Sequence, residues 1–226
     1  MSRYDSVVVG AGPNGLAAAI TLAQSGQSVL LIEANEVVGG GVRTAEITLP
    51  GFAHDLGSAI HPFAAASTFL RSLPLDQHGL TWIQPPIPLV HPFDDGTAAT
   101  LHRSLPHTAA SLAIDAAAYR WLLGPVVANW DNIAQMILGP PHSPRNPVTL
   151  ARFGARSAWP ASLLAQTIFR TEQARALFAG LCAHSGMPLE QPPTAGIGVV
   201  LATLAHLVGW PFPQGGAGSL TRAMAS

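Results

Sequence analysis

Val7-Val8-Val9-Gly10-Ala11-Gly12-Pro13-Asn14-Gly15, followed by Ser28-Val29-Leu30-Leu31-Ile32-Glu33, is the most informative stretch of this 226-residue chain. Asp5–Gly10 reads as a buried strand. Asn14–Ser25, rich in Ala and Leu, reads as a helix stopped by Gly26. Gln27–Glu33 reads as a second buried strand. Two short, continuously apolar strands joined by a helix make a βαβ unit, and such strands suit a parallel sheet covered on both faces. Gly10, Gly12 and Gly15 fit G-x-G-x-x-G, a weak pattern alone but meaningful between a strand and a helix. Gly10 turns the chain out of the strand. Gly12 lets backbone approach a pyrophosphate, and Gly15 lets the helix pack against the strand. The N–H groups that open the helix, Asn14 first and directly after Pro13, would face that anion. Glu33 closes the second strand, where a carboxylate accepts hydrogen bonds from a ribose diol and repels a 2′-phosphate.

A second cluster follows, Glu33-Ala34-Asn35-Glu36-Val37-Val38-Gly39-Gly40-Gly41-Val42-Arg43-Thr44. Gly39 and Gly40 offer further backbone N–H groups near a dinucleotide, and Arg43 a charge-assisted bond to its phosphates. A plain nicotinamide-binding unit has no need of it. Here the chain resembles the two-dinucleotide-binding-motif flavoproteins, which include phytoene desaturases, amine oxidases and the GDP-dissociation inhibitors. The run Val38 to Phe52, continued by His54-Asp55-Leu56-Gly57-Ser58, is similar to the phytoene dehydrogenase-like branch of FAD-dependent oxidoreductases. Leu177-Phe178-Ala179-Gly180, Ala183-His184-Ser185 and Gly209-Trp210-Pro211 leading to Gly215-Gly216 extend a looser likeness to the end of the chain.

That resemblance implies an FAD whose ADP half lies on Gly10, Gly12, Pro13, Asn14, Gly15, Glu33 and Ala34. Gly39, Gly40, Arg43 and Thr44 would run along the pyrophosphate and ribityl side. Asp55, Gly57 and Ser58 would approach the flavin end. It implies hydride transfer from a lipophilic or amine substrate to flavin N5, with the protein supplying position and electrostatics. It also implies members about twice this length, with a later glycine-rich return to the FAD domain. No such segment is found here, and Leu220–Ser226 reads as an unfinished helix. The expectation is therefore the N-terminal half of such a protein, needing a missing C-terminal half. The alternatives are a non-catalytic fragment, a binding protein on the same fold, or an NAD-dependent dehydrogenase.

The expected fold class is α/β: a Rossmann-like FAD-binding βαβ unit with a hairpin-plus-helical substrate, or cap, domain, truncated. The boundary is placed by a composition shift, giving residues 1–75 to the FAD-binding part and 76–226 to the cap. Glu46–Leu49 is expected as a short strand and Phe63–Leu73 as a helix. Thr81–Gln84 and Pro88–His91 read as extended. Asp94-Asp95-Gly96 signals a hairpin turn into Thr97–His102. Ala109–Leu138 has helical spacing, with a break expected near Gly124-Pro125. Gly139-Pro140-Pro141, Pro144 and Pro147 read as loop. Leu163–Phe169, Glu172–His184 and Thr194–Leu207 complete the helices.

Composition narrows the function. Apolar residues make up 48% and charged residues 10%, against about 25% charged in ordinary soluble domains, so the core is large or one face is greasy. All 11 basic residues are arginine, which excludes a P-loop and lysine Schiff-base chemistry. A net charge of −1 without a basic block disfavours nucleic acid. The single Cys182 excludes an internal disulfide, a CxxC pair and a cysteine-built zinc site. Val7–Val9 is too short for a signal core, so the start reads as cytosolic. Ile197–Trp210 falls short of the ~20 apolar residues of a membrane span. It reads as a buried helix, with a lipophilic channel wall or a peripheral membrane contact as the alternative.

No residue stands out as catalytic. His54 and His61 read as turn and packing residues rather than proton carriers. Cys182 and His184, two apart on a helix, cannot face one another. His102 and His107 lack a third metal ligand and HExxH is absent, so no metal site is expected. Trp121, Trp130, Trp159 and Trp210 read as core. Arg145, Arg152 and Arg156 read as a solvated face, with an anionic headgroup contact as the minor alternative. The substrate and electron acceptor are left open.

Overall fold

The structure is a computed structural model, described here for residues 3–139, 143–144 and 146–226. In chain order the elements are β1 (Ser6–Val9), α1 (Pro13–Gln24), β2 (Val29–Ile32), β3 (Thr44–Glu46), β4 (Ala53–Asp55), α2 (Pro62–Ala66), α3 (Thr68–Ser72), β5 (Trp82–Ile83), β6 (Leu89–Pro92) and β7 (Ala98–Leu101). Then come α4 (Leu105–Ser111), α5 (Ala116–Ala128), α6 (Trp130–Ile137), α7 (Pro147–Ser157), α8 (Ala161–Ile168), α9 (Glu172–Ala183), α10 (Thr194–Leu207), β8 (Phe212–Pro213) and α11 (Gly218–Ala225). The chain forms two compact units, Met1–Gln84 with Pro211–Ser226, and Pro85–Trp210.

In the first unit β1 and β2 pair in parallel, Ser6 opposite Val29 and Val9 opposite Ile32. The βαβ unit stands where the glycine fingerprint placed it. Leu16, Leu75, Leu80, Leu220, Ala223 and Met224 close its core, with Ile20 and Phe69 packed against them. Among the described residues three short antiparallel pairings are also present: β3 with β4, β5 with β8 and β6 with β7.

Several expectations are corrected here. β1 is not covered on both faces, since Val7 is 56% and Val9 79% exposed. The strand expected over Glu46–Leu49 lies earlier, at Thr44–Glu46, because its partner Ala53–Asp55 pairs with those residues. The helix expected over Phe63–Leu73 breaks at Ser67, whose hydroxyl accepts from Leu70 N–H and starts α3. The boundary expected at residue 75 moves past β5. The last segment, expected in the second domain, belongs to the first unit, because β8 pairs with β5 and α11 supplies core residues.

The second unit is a hairpin and helices. Asp95 accepts from the Thr97 N–H and hydroxyl, and Gly96 takes φ +83°, so the turn is built as its sequence implied. α5 runs through Pro125 instead of breaking there, held by the burial of Tyr119, Leu122, Leu123 and Val126. The breaks fall instead after Ser111 and at Asn129. α7 occupies part of the expected proline loop. Asn146 accepts from Thr149 N–H and Pro147 holds the first helical position, a helix start rather than a loop signal. Pro140, Pro141 and Arg145 lie outside the described residues.

The core of this unit contains Leu122, Leu123, Phe169, Leu177, Leu181 and Leu204, all at most 1% exposed. α10 is the buried helix that Ile197–Trp210 suggested, with every residue from Gly198 to Ala205 inside. Among the described residues no helix is long and apolar enough to cross a membrane. Asp115 accepts from Arg170 N–H, Thr171 N–H and the Thr171 hydroxyl, fixing the entry to α9. Tyr119 and His206 meet at 2.8 Å, and the other nitrogen of His206 lies 3.2 Å from Arg103 O.

α9 and α10 cross at a glycine. A β-carbon on Gly198 would lie 2.3 Å from Cys182 Sγ. Gly198→Ala is expected to destabilise the chain by about 1–3 kcal/mol. In a Cys182→Ala background the same change is expected to cost about 1 kcal/mol less, the coupling of two touching positions. Urea unfolding of the four chains measures it, and equal costs in both backgrounds would remove this contact from the account.

Candidate functional site

The site is built by backbone approaching backbone in the first unit. Gly10 takes φ +97° at the end of β1 and its N–H donates to Ile32 O at 2.7 Å. A β-carbon on Gly15 would lie 1.8 Å from Gly10 O, so the first turn of α1 sits directly on that carbonyl. Gly12 is the residue before α1, Pro13 is its first helical residue, and no side chain caps the helix. The opening N–H groups, those of Asn14 and Gly15, are therefore left to a ligand or to water.

The second glycine cluster folds onto the first. Gly39 N–H donates to Ala11 O at 2.8 Å. A β-carbon on Gly40 would come 3.2 Å from Gly12 Cα. Gly40–Val42 form one 3-10 turn, and Arg43 Nε donates to Gly40 O at 3.3 Å. Gly57 fits against the same loop, since a β-carbon there would lie 2.4 Å from Gly41 O. Ser58 N–H donates to Gly41 O at 2.9 Å. The glycines of both clusters, Arg43, Gly57 and Ser58 thus share one neighbourhood, with open space beside Gly10 and Gly41.

Glu33 ends β2 facing the first cluster. One carboxylate oxygen accepts from Ala11 N–H at 2.7 Å, and the other from Asn35 N–H and Nδ2 at 3.0 and 2.7 Å. Ala34, between them, is exposed. The Ala11 N–H first, then Asn35, hold the Glu33 carboxyl down to about 2. A bond not foreseen from sequence joins Thr44, Asp55 and the start of α11. Asp55 Oδ1 accepts from the Thr44 hydroxyl at 2.5 Å and from Ala217 N–H at 2.8 Å, and Thr44 Oγ1 accepts from Gly218 N–H at 2.9 Å. The only signal was Gly215-Gly216 ahead of a helix. A β-carbon on Gly216 would press on Thr44 Oγ1 at 2.5 Å. Asp55, expected toward a flavin, is therefore occupied in anchoring α11.

The other candidates fall outside this neighbourhood or serve packing. His54 Nε2 lies 2.7 Å from Thr48 Oγ1. His61 is buried beside Trp82, its Nε2 without a partner among the described residues, and burial pulls its pKa below the usual histidine value. Burial pushes the Cys182 thiol up to about 12, an inert core thiol. His184 is turned to Gly180 O instead. The rings of His102 and His107 stack at 3.9 Å. Trp130 and Trp210 are core, but Trp121 and Trp159 are 54% and 38% exposed, correcting the expectation for them.

The Glu33 bonds predict a pH dependence. A carboxyl whose folded value is depressed adds stability above its unfolded value, lost as pH falls through the folded one. Stability is expected to fall between pH 4.5 and about 2 with a Glu33 component. Unfolding of wild type and Glu33→Gln across that window checks it. The two curves should converge toward pH 2, and a constant gap would contradict these bonds.

The NAD(P)-binding Rossmann-like domain family matches residues 8–73. A limonene dehydrogenase component of Castellaniella defragrans is 33% identical over 112 residues, 50% of this chain and 20% of that protein. The 4,4′-diapolycopene oxygenase of a Methylomonas species is 48% identical over 66 residues, 27% of this chain and 13% of that protein. Wild-type putrescine oxidase bound to putrescine superposes with TM-score 0.58 at 24% identity, over 98% of this chain and 48% of that one. That likeness is one of fold. The chain spans about half the length of this solved structure, and its match to the first of these relatives covers a fifth of that protein. Residues 8–73 match the NAD(P)-binding Rossmann-like domain, and the chain shares its fold with solved amine oxidases over about half of their length.

Proposed function

We propose that the glycine neighbourhood holds FAD and that the chain is part of a phytoene desaturase-like dehydrogenase acting on a lipophilic or amine substrate. The observation that carries this is the meeting of two glycine clusters at an uncapped helix start, with Glu33 beside them. The residues suit the group. A pyrophosphate needs donors, which the Asn14 and Gly15 N–H groups offer, and close backbone, which Gly10, Gly12 and Pro13 offer. Glu33, ionised at neutral pH, keeps lone pairs for a ribose diol, and Ala34 leaves space at the adenosine side. Gly39, Gly40 and Arg43 line the second side of the cradle, with Thr44, Gly57 and Ser58 beyond. FAD, when bound, would supply the acceptor for a hydride leaving a C–C or C–N bond.

The chain's own residues position and shield. Thr44 and Asp55 clamp α11 and so fix β3, β4 and the loop carrying Arg43. The second unit, in this reading, is the substrate cap, and its substrate class follows the relatives, which include an oxygenase named for diapolycopene and an oxidase bound to putrescine. The setting is cytosolic, with any membrane contact confined to the surface.

Titration of the purified chain with FAD, NAD and NADP, followed by flavin fluorescence and calorimetry, tests the reading. FAD is expected to bind, NAD and NADP far more weakly, and Glu33→Ala to lose about tenfold in FAD affinity, worth about 1.4 kcal/mol. NAD binding without FAD binding would support a nicotinamide-dependent dehydrogenase. Binding of none of the three would favour a non-catalytic role on this fold.

A further inference from the structure

Between α5, α6 and α7 of the second unit lies a small, open pocket. Val126, Ile133 and Phe153 form an apolar wall, and Asn129, Thr149, Arg152 and Arg156 the polar one. Two arginines line it and, among the described residues, no carboxylate does. That imbalance is unusual in a chain with no excess of basic residues.

Arg156 makes two contacts of its own within the chain. Its guanidinium lies 4.8 Å over the Trp121 ring, and Nη1 donates to Arg152 O at 2.8 Å. These contacts use the face and one end of the fork. Nε is buried and has no acceptor among the described residues. A buried donor without an acceptor is costly, more so on a charged group. The Nε–Nη2 edge is the one that receives two oxygens of a planar oxyanion side by side. The exposed Trp121 also gains a role as the platform that orients this edge.

We propose that this pocket binds the carboxylate of a small amphipathic acid. The Arg156 guanidinium turns so that its buried Nε and its Nη2 meet the two oxygens, Arg152 adds a second positive charge, and the apolar stem lies on Val126, Ile133 and Phe153. An oxyanion is called for by the two arginines, and a carboxylate by the single planar fork. The stem is called for by a wall that a free inorganic ion would leave unused. The site shares no residue with the glycine neighbourhood, so it stands or falls independently of FAD binding.

Calorimetric titration of the full 226-residue chain with decanoate, decanol, inorganic phosphate and phosphatidylglycerol vesicles tests this. Decanoate is expected to bind saturably and decanol not. Arg156→Gln is expected to weaken decanoate about tenfold, and Arg156→Lys, which keeps charge but loses the fork, nearly as much. Arg152→Gln should weaken it less, and Arg71→Gln, in the other unit, should leave it unchanged. Circular dichroism and Tm confirm that each variant folds, and if Arg156→Gln does not, Arg156→Lys and Arg152→Gln decide. Absence of decanoate binding, binding unaltered by the Arg156 substitutions, phosphate binding as tight as decanoate, or binding to vesicles alone would each overturn the proposal.

Discussion

Close approach of one stretch of backbone to another is the constraint on which the first unit depends. Three contacts carry it: Gly15 on the Gly10 carbonyl, Gly40 on Gly12 Cα, and Gly57 on the Gly41 carbonyl. Any side chain at Gly15 or Gly57 would enter space that a carbonyl already fills. Because the contacts are between backbones, no rotamer change can relieve them. They draw residues from three separate loops into one cradle, and they leave the first N–H groups of α1 uncovered. The same constraint that shapes the fold therefore also leaves those donors to a ligand or to water.

Hydrogen bonds then fix what the glycines bring together. Glu33 ties the end of β2 to the first cluster through Ala11, and Asp55 ties β4 to Thr44 and to the start of α11. Both carboxylates accept backbone N–H groups, and neither needs a long side chain to be ordered for it. The α11 link has a packing counterpart. Leu220, Ala223 and Met224 enter the core around Leu16. A segment distant in sequence thus becomes integral to the first unit, where local pattern assigned it to the second.

The second unit solves a different problem, how to place helices rich in Ala and Gly around one core. Gly180 admits His91 from the hairpin, and Gly198 admits Cys182 from α9. Buried polar groups in this core are mostly satisfied by pairing, as with Asp115 at the start of α9 and Tyr119 against His206. Arg156 Nε is an exception, on a residue that lines a pocket.

Sequence alone determined the βαβ unit, the glycine turn, the hairpin and the buried α10. Each of these is encoded locally, by apolar period, by a turn residue or by a residue type with one steric use. It misread Pro125 and Pro147 because proline has opposite meanings at different helix positions, and position is set by neighbours such as Asn146 and the buried face of α5. Tertiary structure alone decided that Asp55 anchors α11, that Pro211–Ser226 belongs with the first unit, that Val7 and Val9 lie exposed, and that Arg152 and Arg156 line one pocket with Trp121 beneath. Those facts join residues far apart in the chain, and periodicity along a chain carries no record of which distant backbone will supply the partner.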